Sequence, residues 1–263
     1  QMWNDIIRTG ERDDISAHFI GSIVYIEKGL YHISSQTPLL VIDGQQRLTT
    51  ISLILEALAE QLRDAEPVEG FSAKKIRHYY LLNPLENEDK GYKLILTQTD
   101  KESLLALMQQ KSLPKEHSLR IKENYEFFKE KIIGLKGNWV SLCKGLEKLI
   151  IVDISLNRDQ DNPQLIFESM NSTGRELSQA DLIRNYVLMG LEPEHQTALY
   201  SDHWRPMEVE FGQEAYSEHF DKFMRHYLTI KTGDIPNIQK VYESFKSYSR
   251  QKEVAVNGVN ALV

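Results

Sequence analysis

Five consecutive residues, Asp43-Gly44-Gln45-Gln46-Arg47, bring together the groups that phosphate chemistry needs. They end an apolar, strand-like run (PLLVID, residues 38–43) and lead into a helical pattern beginning at Leu48-Thr49-Thr50. Where a strand turns tightly into a helix, free backbone N–H groups and the positive end of the helix dipole point into the turn, so the place suits an anion. Gly44 lets the backbone come close, Arg47 can hold phosphate oxygens bidentately, and Asp43 is placed to hold Mg²⁺ or orient a water. Gln45 and Gln46 carry neutral amides that can position an attacking water or bridge phosphate oxygens without adding charge. A plainer reading stays open: Asp43 caps the helix, Gly44 makes the turn, Arg47 pairs with a surface carboxylate, and both glutamines face solvent. Neither the P-loop pattern nor G-x-G-x-x-G is present.

Short β-branched or aromatic-rich runs predict strands at His18 to Ile26, Pro38 to Asp43, Tyr92 to Thr97 and Leu149 to Leu156. Helical spacing is stronger. Leu48, Ile51, Leu55, Leu58 and Leu62 share one face, as do Ile121, Tyr125, Phe128, Ile132 and Leu135, which predicts two amphipathic helices. A third helix is expected from Asn162-Pro163 through Met170, broken by Ser172-Thr173-Gly174. Ser178 with Asp181 three residues on reads as a capping box ahead of Leu182, Ile183, Tyr186 and Val187, and Gly190 supplies a stop. Past Pro193 the pattern is helical again, through Phe220, Phe223, Met224, Tyr227 and Leu228, then Ile238, Val241, Tyr242, Phe245 and Tyr248. The stretch 64–90 is polar and reads as irregular.

These elements imply an α+β, helix-rich chain with a small sheet, in two lobes spanning 1–156 and 157–263. The chain has 263 residues, 41% of them hydrophobic, and a net charge of −7. That balance is globular and argues against a dominant nonspecific nucleic-acid surface, while leaving room for a local basic patch. No apolar run nears the ~18 residues of a membrane span, and no basic-then-apolar leader opens the chain, so a soluble, cytoplasmic protein without membrane contact is expected. The single cysteine, Cys143, excludes an internal disulfide and is expected to pack in a helix. No histidine pair has H-E-x-x-H spacing and no G-x-S-x-G occurs, which disfavours zinc hydrolysis and acyl transfer.

Asp43 to Thr50 (DGQQRLTT), together with Phe167 to Leu177 (FESMNSTGREL) and Asp181 to Tyr186 (DLIRNY), resembles the N-terminal domain of the GmrSD type IV restriction enzymes, found also in SspE-like phage-defence proteins. Minor matches lie at Trp3 to Ile6, Gly21-Ser22-Ile23-Val24 and Val241 to Lys246. The resemblance implies a ParB/sulfiredoxin-like core with helical additions, whose DGQQR turn binds and hydrolyses a nucleoside triphosphate with Mg²⁺ and gates a nuclease. The implied catalytic residues are Asp43, Gln46 and Arg47, with Asp43 the metal ligand. The nucleotide-binding residues are Gly44, Gln45, Arg47, Asn171, Arg175 and Arg184. Read plainly, Asn171 and Gly174 cap a helix, and Arg184 lies on a solvated helix face. A triphosphate nevertheless calls for more than one cation, so the Asn171 to Asn185 segment is expected against the turn. The implied partners are an HNH-type nuclease module, in cis or in trans, and DNA reached through the full-length protein. The family's upstream P-x-Y-Q-R-x-Y-x-W segment and its HNH signature are absent, so the chain is expected to be a fragment. The competing function is a non-catalytic module that recognises DNA or a partner and keeps DGQQR only as a structural turn.

Overall fold

Three of the four strand-like runs pair into one sheet, and helices make up most of the rest. The computed structural model describes residues 1–27, 38–156, 178–188, 195 and 198–251. The chain divides into two compact units, 1–156 and 157–263.

In the first unit, α1 (Met2–Glu11) precedes β1 (His18–Glu27), β2 (Leu39–Asp43) and α2 (Gln45–Leu62). Next come a short α3 (Ala73–Ile76) with a π-helical turn (Arg77–Leu81), then α4 (Gln98–Met108), α5 (Leu119–Gly134), α6 (Val140–Glu147) and β3 (Leu149–Leu156). The sheet order is β2-β1-β3, antiparallel on one side of β1 and parallel on the other. This mixed three-stranded sheet within a helix-rich chain is an α+β fold.

The core of this unit is helical. From Leu53 to Ala59 every residue of α2 is buried, so α2 is a central helix rather than the one-faced amphipathic helix its leucine spacing suggests. The cost of that position is a buried carboxylate, Glu56, which the Arg77 guanidinium meets with two bonds, of 2.6 and 3.1 Å. Burial raises the Glu56 carboxyl above its ordinary value, and Arg77 opposes the shift. α1 and α6 touch backbone to backbone. A Cβ on Gly10 would stand 1.7 Å from the Ser141 carbonyl oxygen, and one on Gly145 2.0 Å from that of Ile6. Lys148 closes the end of α1, its Nζ donating to the carbonyls of Thr9 and Arg12 at 3.1 and 2.8 Å.

The strand expected at Tyr92 to Thr97 does not form. Only an isolated bridge joins Leu82 to Tyr92, and α4 begins at Gln98. Tyr92, Leu94 and Leu96 pack on the helical core, so the alternation is real although the backbone lacks a strand neighbour. Conversely, the 64–90 stretch contains α3, whose start Ser72 caps by accepting from Lys75 N at 3.3 Å. α1 and α4 were not anticipated from the apolar spacing.

In the second unit, α7 (Gln179–Leu188), a π-helical turn (Tyr200–Trp204), α8 (Arg205–Phe211), α9 (Gln213–Thr232) and α10 (Val241–Gln251) enclose an aromatic core. Phe220 is its centre, with ring centroids of Tyr216, Phe211 and Trp204 at 4.5, 5.3 and 5.6 Å. The Ser178 cap forms as the spacing predicts: its Oγ accepts from Asp181 N at 3.1 Å and donates to Asp181 Oδ2 at 2.8 Å. Asp221 of α9 accepts from the next two N–H groups, those of Gln179 and Ala180. The helix expected after Asn162-Pro163, the break at Ser172 to Gly174 and the Gly190 stop lie outside the described residues. Among the described residues no helix is long and apolar enough to cross a membrane.

Candidate functional site

β2 ends at Asp43 and α2 starts at Gln45, so the junction is one residue long. That residue, Gly44, sits in the left-handed region at φ 97° and ψ 0°, which only glycine adopts without strain. It is also pressed against β1: a Cβ there would lie 2.9 Å from Ile23 Cγ1 and 3.2 Å from the Ser22 carbonyl oxygen. Both conformation and space therefore demand glycine.

Gly44 is the residue that caps α2, and among the described residues no side chain accepts from the first-turn N–H groups. Asp43 therefore does not cap, contrary to that part of the plain reading. Its carboxylate instead accepts from Arg47 Nη2 at 2.6 Å, and the same nitrogen donates to the Ser22 carbonyl at 2.6 Å. Asp43 and Arg47 keep 29% and 30% of their side-chain exposure, so the pair is partly open to solvent. Arg47 Nε is buried without a hydrogen-bond partner, and Nη1 has no acceptor among the described residues. Gln45 donates from Nε2 to the Val41 carbonyl at 2.8 Å, which folds its amide back over the strand end. Gln46 is exposed. Thr49 and Thr50 return their hydroxyls to the carbonyls of Gln45 and Gln46 at 2.8 and 2.7 Å, securing the first turn.

The sequence predicts both the turn and the β1 strand, but not that β1 lies beneath the turn. Gly21, Ser22 and Ile23 of β1 form the surface on which both Gly44 and Arg47 rest. The signal was a glycine inside a β-branched run, which marks a bulge or a close approach. β1 does bulge there: Phe19 pairs with Ile150 and Ser22 with Val152, so β1 carries one residue more than β3 between the two pairs.

Arg184, the third cation expected at the site, lies in the second unit with its charge already met. It binds Asp181 at 3.0 Å and Glu208 at 3.2 Å. Glu208 also accepts from Tyr200 Oη at 2.6 Å and Trp204 Nε1 at 3.1 Å. Burial, and the Glu208 carboxylate after it, push the Tyr200 and Tyr216 hydroxyls above the usual tyrosine range, so both stay neutral. Asn171 and Arg175 lie outside the described residues.

Elsewhere, Cys143 is fully buried, and its thiol is pushed up to about 12 by burial and then by Glu147. It is unreactive packing. A groove of about 620 Å³ between α1 and α5, lined by Trp3, Ile7, Phe127 and Leu135 among others, includes no residue of the turn. Among the described residues no three His, Cys, Asp or Glu side chains cluster as a metal site.

A family profile described as "GmrSD restriction endonuclease, N-terminal domain" matches residues 1–188. No curated protein matches the chain.

Proposed function

The chain belongs to the family of GmrSD restriction endonuclease N-terminal domains, and from that premise we propose that it is a nucleoside-triphosphate-binding and -hydrolysing regulatory domain of a DNA-targeting restriction or phage-defence system. One observation carries the nucleotide part: an 18-residue helix opens at a one-residue turn with, among the described residues, no side chain on its first N–H groups, beside an arginine whose Nη1 has no acceptor. Bare N–H groups, the helix dipole and a guanidinium fork together make a phosphate cradle. Gly44 and Gln45 line the cradle through their backbone, Arg47 takes phosphate oxygens, and Gln46, exposed at the first turn, orients the attacking water. The single carboxylate of Asp43 fits Mg²⁺, which is usually held by one or two carboxylates plus substrate phosphates and water. Bound there, the ion would neutralise phosphate charge. The reading further assigns the sheet to a ParB/sulfiredoxin-like core, and names an HNH-type nuclease module, in cis or in trans, as the partner through which DNA is cut.

A second reading is favoured by the Asp43–Arg47 ion pair. If that pair only braces the junction, the turn is structural and the domain recognises DNA or a partner protein without catalysis. Melting the protein with each of the four ribonucleoside triphosphates and Mg²⁺ separates the two. A ligand that binds only the folded state at 100 times its Kd adds about 2.7 kcal/mol, a readily measured rise in Tm. No rise with any of the four supports the second reading.

A further inference from the structure

We infer that Gly21 is a positioning residue for the Asp43–Arg47 turn: its missing side chain leaves the seat in which the Arg47 guanidinium lies. The ligand in this inference rests on the nucleotide reading above, whereas the seat rests on geometry alone.

Gly21 lies inside β1 at φ +116°, a backbone conformation that L side chains rarely adopt. A Cβ built on it would stand 3.3 Å from each of Arg47 Cζ, Nε and Nη1. Equal distances to three atoms of one planar group mean that the face of the guanidinium lies over the position a Cβ would take. Outside Gly21 and its two chain neighbours, these side-chain atoms are the nearest among the described residues, so the space is filled by Arg47. The bulge between Phe19 and Ser22 completes the arrangement, because the next carbonyl, that of Ser22, receives Arg47 Nη2 at 2.6 Å.

The seat determines which donors remain. Nη2 is divided between Ser22 and Asp43, and Nε is buried without a partner. Burying an unpaired donor costs stability, so this packing is not the most stable use of the side chain. What it secures is direction: Nη1 remains as the donor for an incoming oxygen, on a side chain that cannot swing freely. A methyl at position 21 would push the guanidinium off the strand by a few tenths of an ångström and disturb both Nη2 bonds. The charge would remain and its aim would be lost. A charge-assisted hydrogen bond from Nη1 to a phosphate oxygen depends on that aim.

The test is a double-mutant cycle on the full chain with Gly21→Ala, Arg47→Ala and both together. Affinity for each of the four ribonucleoside triphosphates with Mg²⁺ is read by calorimetry, and stability by urea unfolding. Arg47→Ala should weaken binding about 10- to 150-fold, the worth of a charge-assisted hydrogen bond, and Gly21→Ala about 10-fold. The double variant should bind no more weakly than Arg47→Ala alone, a result that a merely structural Gly21 would not give. Losses that simply add, or full affinity in Gly21→Ala, overturn the inference. The strain of an L side chain at φ +116° is common to the single and the double variant, so the unfolding cycle reads the seat as the difference: Gly21→Ala should cost less stability in the Arg47→Ala background than in the unsubstituted chain, and an equal cost overturns the inference. If Arg47→Ala leaves every affinity unchanged, the nucleotide reading falls by itself. The unfolding cycle then decides the seat, with coupled losses supporting it and additive losses overturning it.

Discussion

Arg47 and Arg184 show what distinguishes a candidate ligand site from a brace. Each pairs with a carboxylate on its own chain segment, four residues before Arg47 and three before Arg184, and each keeps 30% of its side-chain exposure. Their surroundings differ. Around Arg184 two carboxylates meet one guanidinium, and Glu208 takes a tyrosine hydroxyl and an indole N–H besides. Negative charge there already exceeds positive, and a phosphate would add to the surplus. Around Arg47 one carboxylate and one carbonyl share a single nitrogen, and the bare end of α2 adds further donors. Donors are in excess at the turn. An arginine in sequence marks a charge; the local surplus of donors decides whether that charge is available.

The sharpest way to break this contrast is in the second unit. Glu208→Ala removes the carboxylate that Tyr200 donates to and one of two partners of Arg184 and of Trp204, and should cost roughly 2–4 kcal/mol in urea unfolding while leaving nucleotide affinity untouched. The opposite pattern, intact stability with lost affinity, would make the Arg184 cluster a site.

Arg47→Ala is expected to do the reverse. Affinity for a nucleoside triphosphate should fall by about 1.5–3 kcal/mol in calorimetry on the full-length protein, with a stability loss below about 1.5 kcal/mol. An unchanged affinity would place Arg47 with Arg184 as a brace.

The smallest effect calibrates both, in a third polar cluster between α2 and α5. Glu60 accepts from Tyr125 Oη and Lys129 Nζ, each at 2.6 Å. Burial works to raise its carboxyl, but Lys129 and Tyr125 outweigh it and hold the group below its ordinary 4.5. A carboxyl held low in the folded state stabilises above its unfolded pKa and loses that contribution as pH falls through the folded value. Glu60→Gln should therefore cost under about 1 kcal/mol at pH 7, the pair being partly exposed, and the difference from the unsubstituted chain should shrink as pH falls below the ordinary 4.5. Urea unfolding at pH 7 and at a series of lower pH values checks it.

Local interactions explain why much of this was legible in the residues. Three strands, the turn at Gly44, the Ser178 cap and the aromatic helix around Phe220 arise from spacing, propensity and side-chain-to-backbone bonds within a few positions. The Tyr92 to Thr97 run misled because alternation reports burial on one side, whereas a strand also needs a neighbour for its backbone, and here Leu94 and Leu96 lie on helices. α1 lies close to α6 through Gly10 and Gly145, a contact between segments more than 130 residues apart that no local pattern encodes. The site divides in the same way. Strand, glycine, helix and arginine are adjacent in the chain, so the sequence by itself determined that a donor-rich turn exists at residues 43–47. Pairing between strands determined the rest: β1 beside β2 places Gly21 beneath the guanidinium and the Ser22 carbonyl against it, and the folding of the second unit hands Arg184 to Glu208. Residue type specifies which groups a side chain can bind. Which of those bonds are already made depends on neighbours that only the tertiary structure brings within reach.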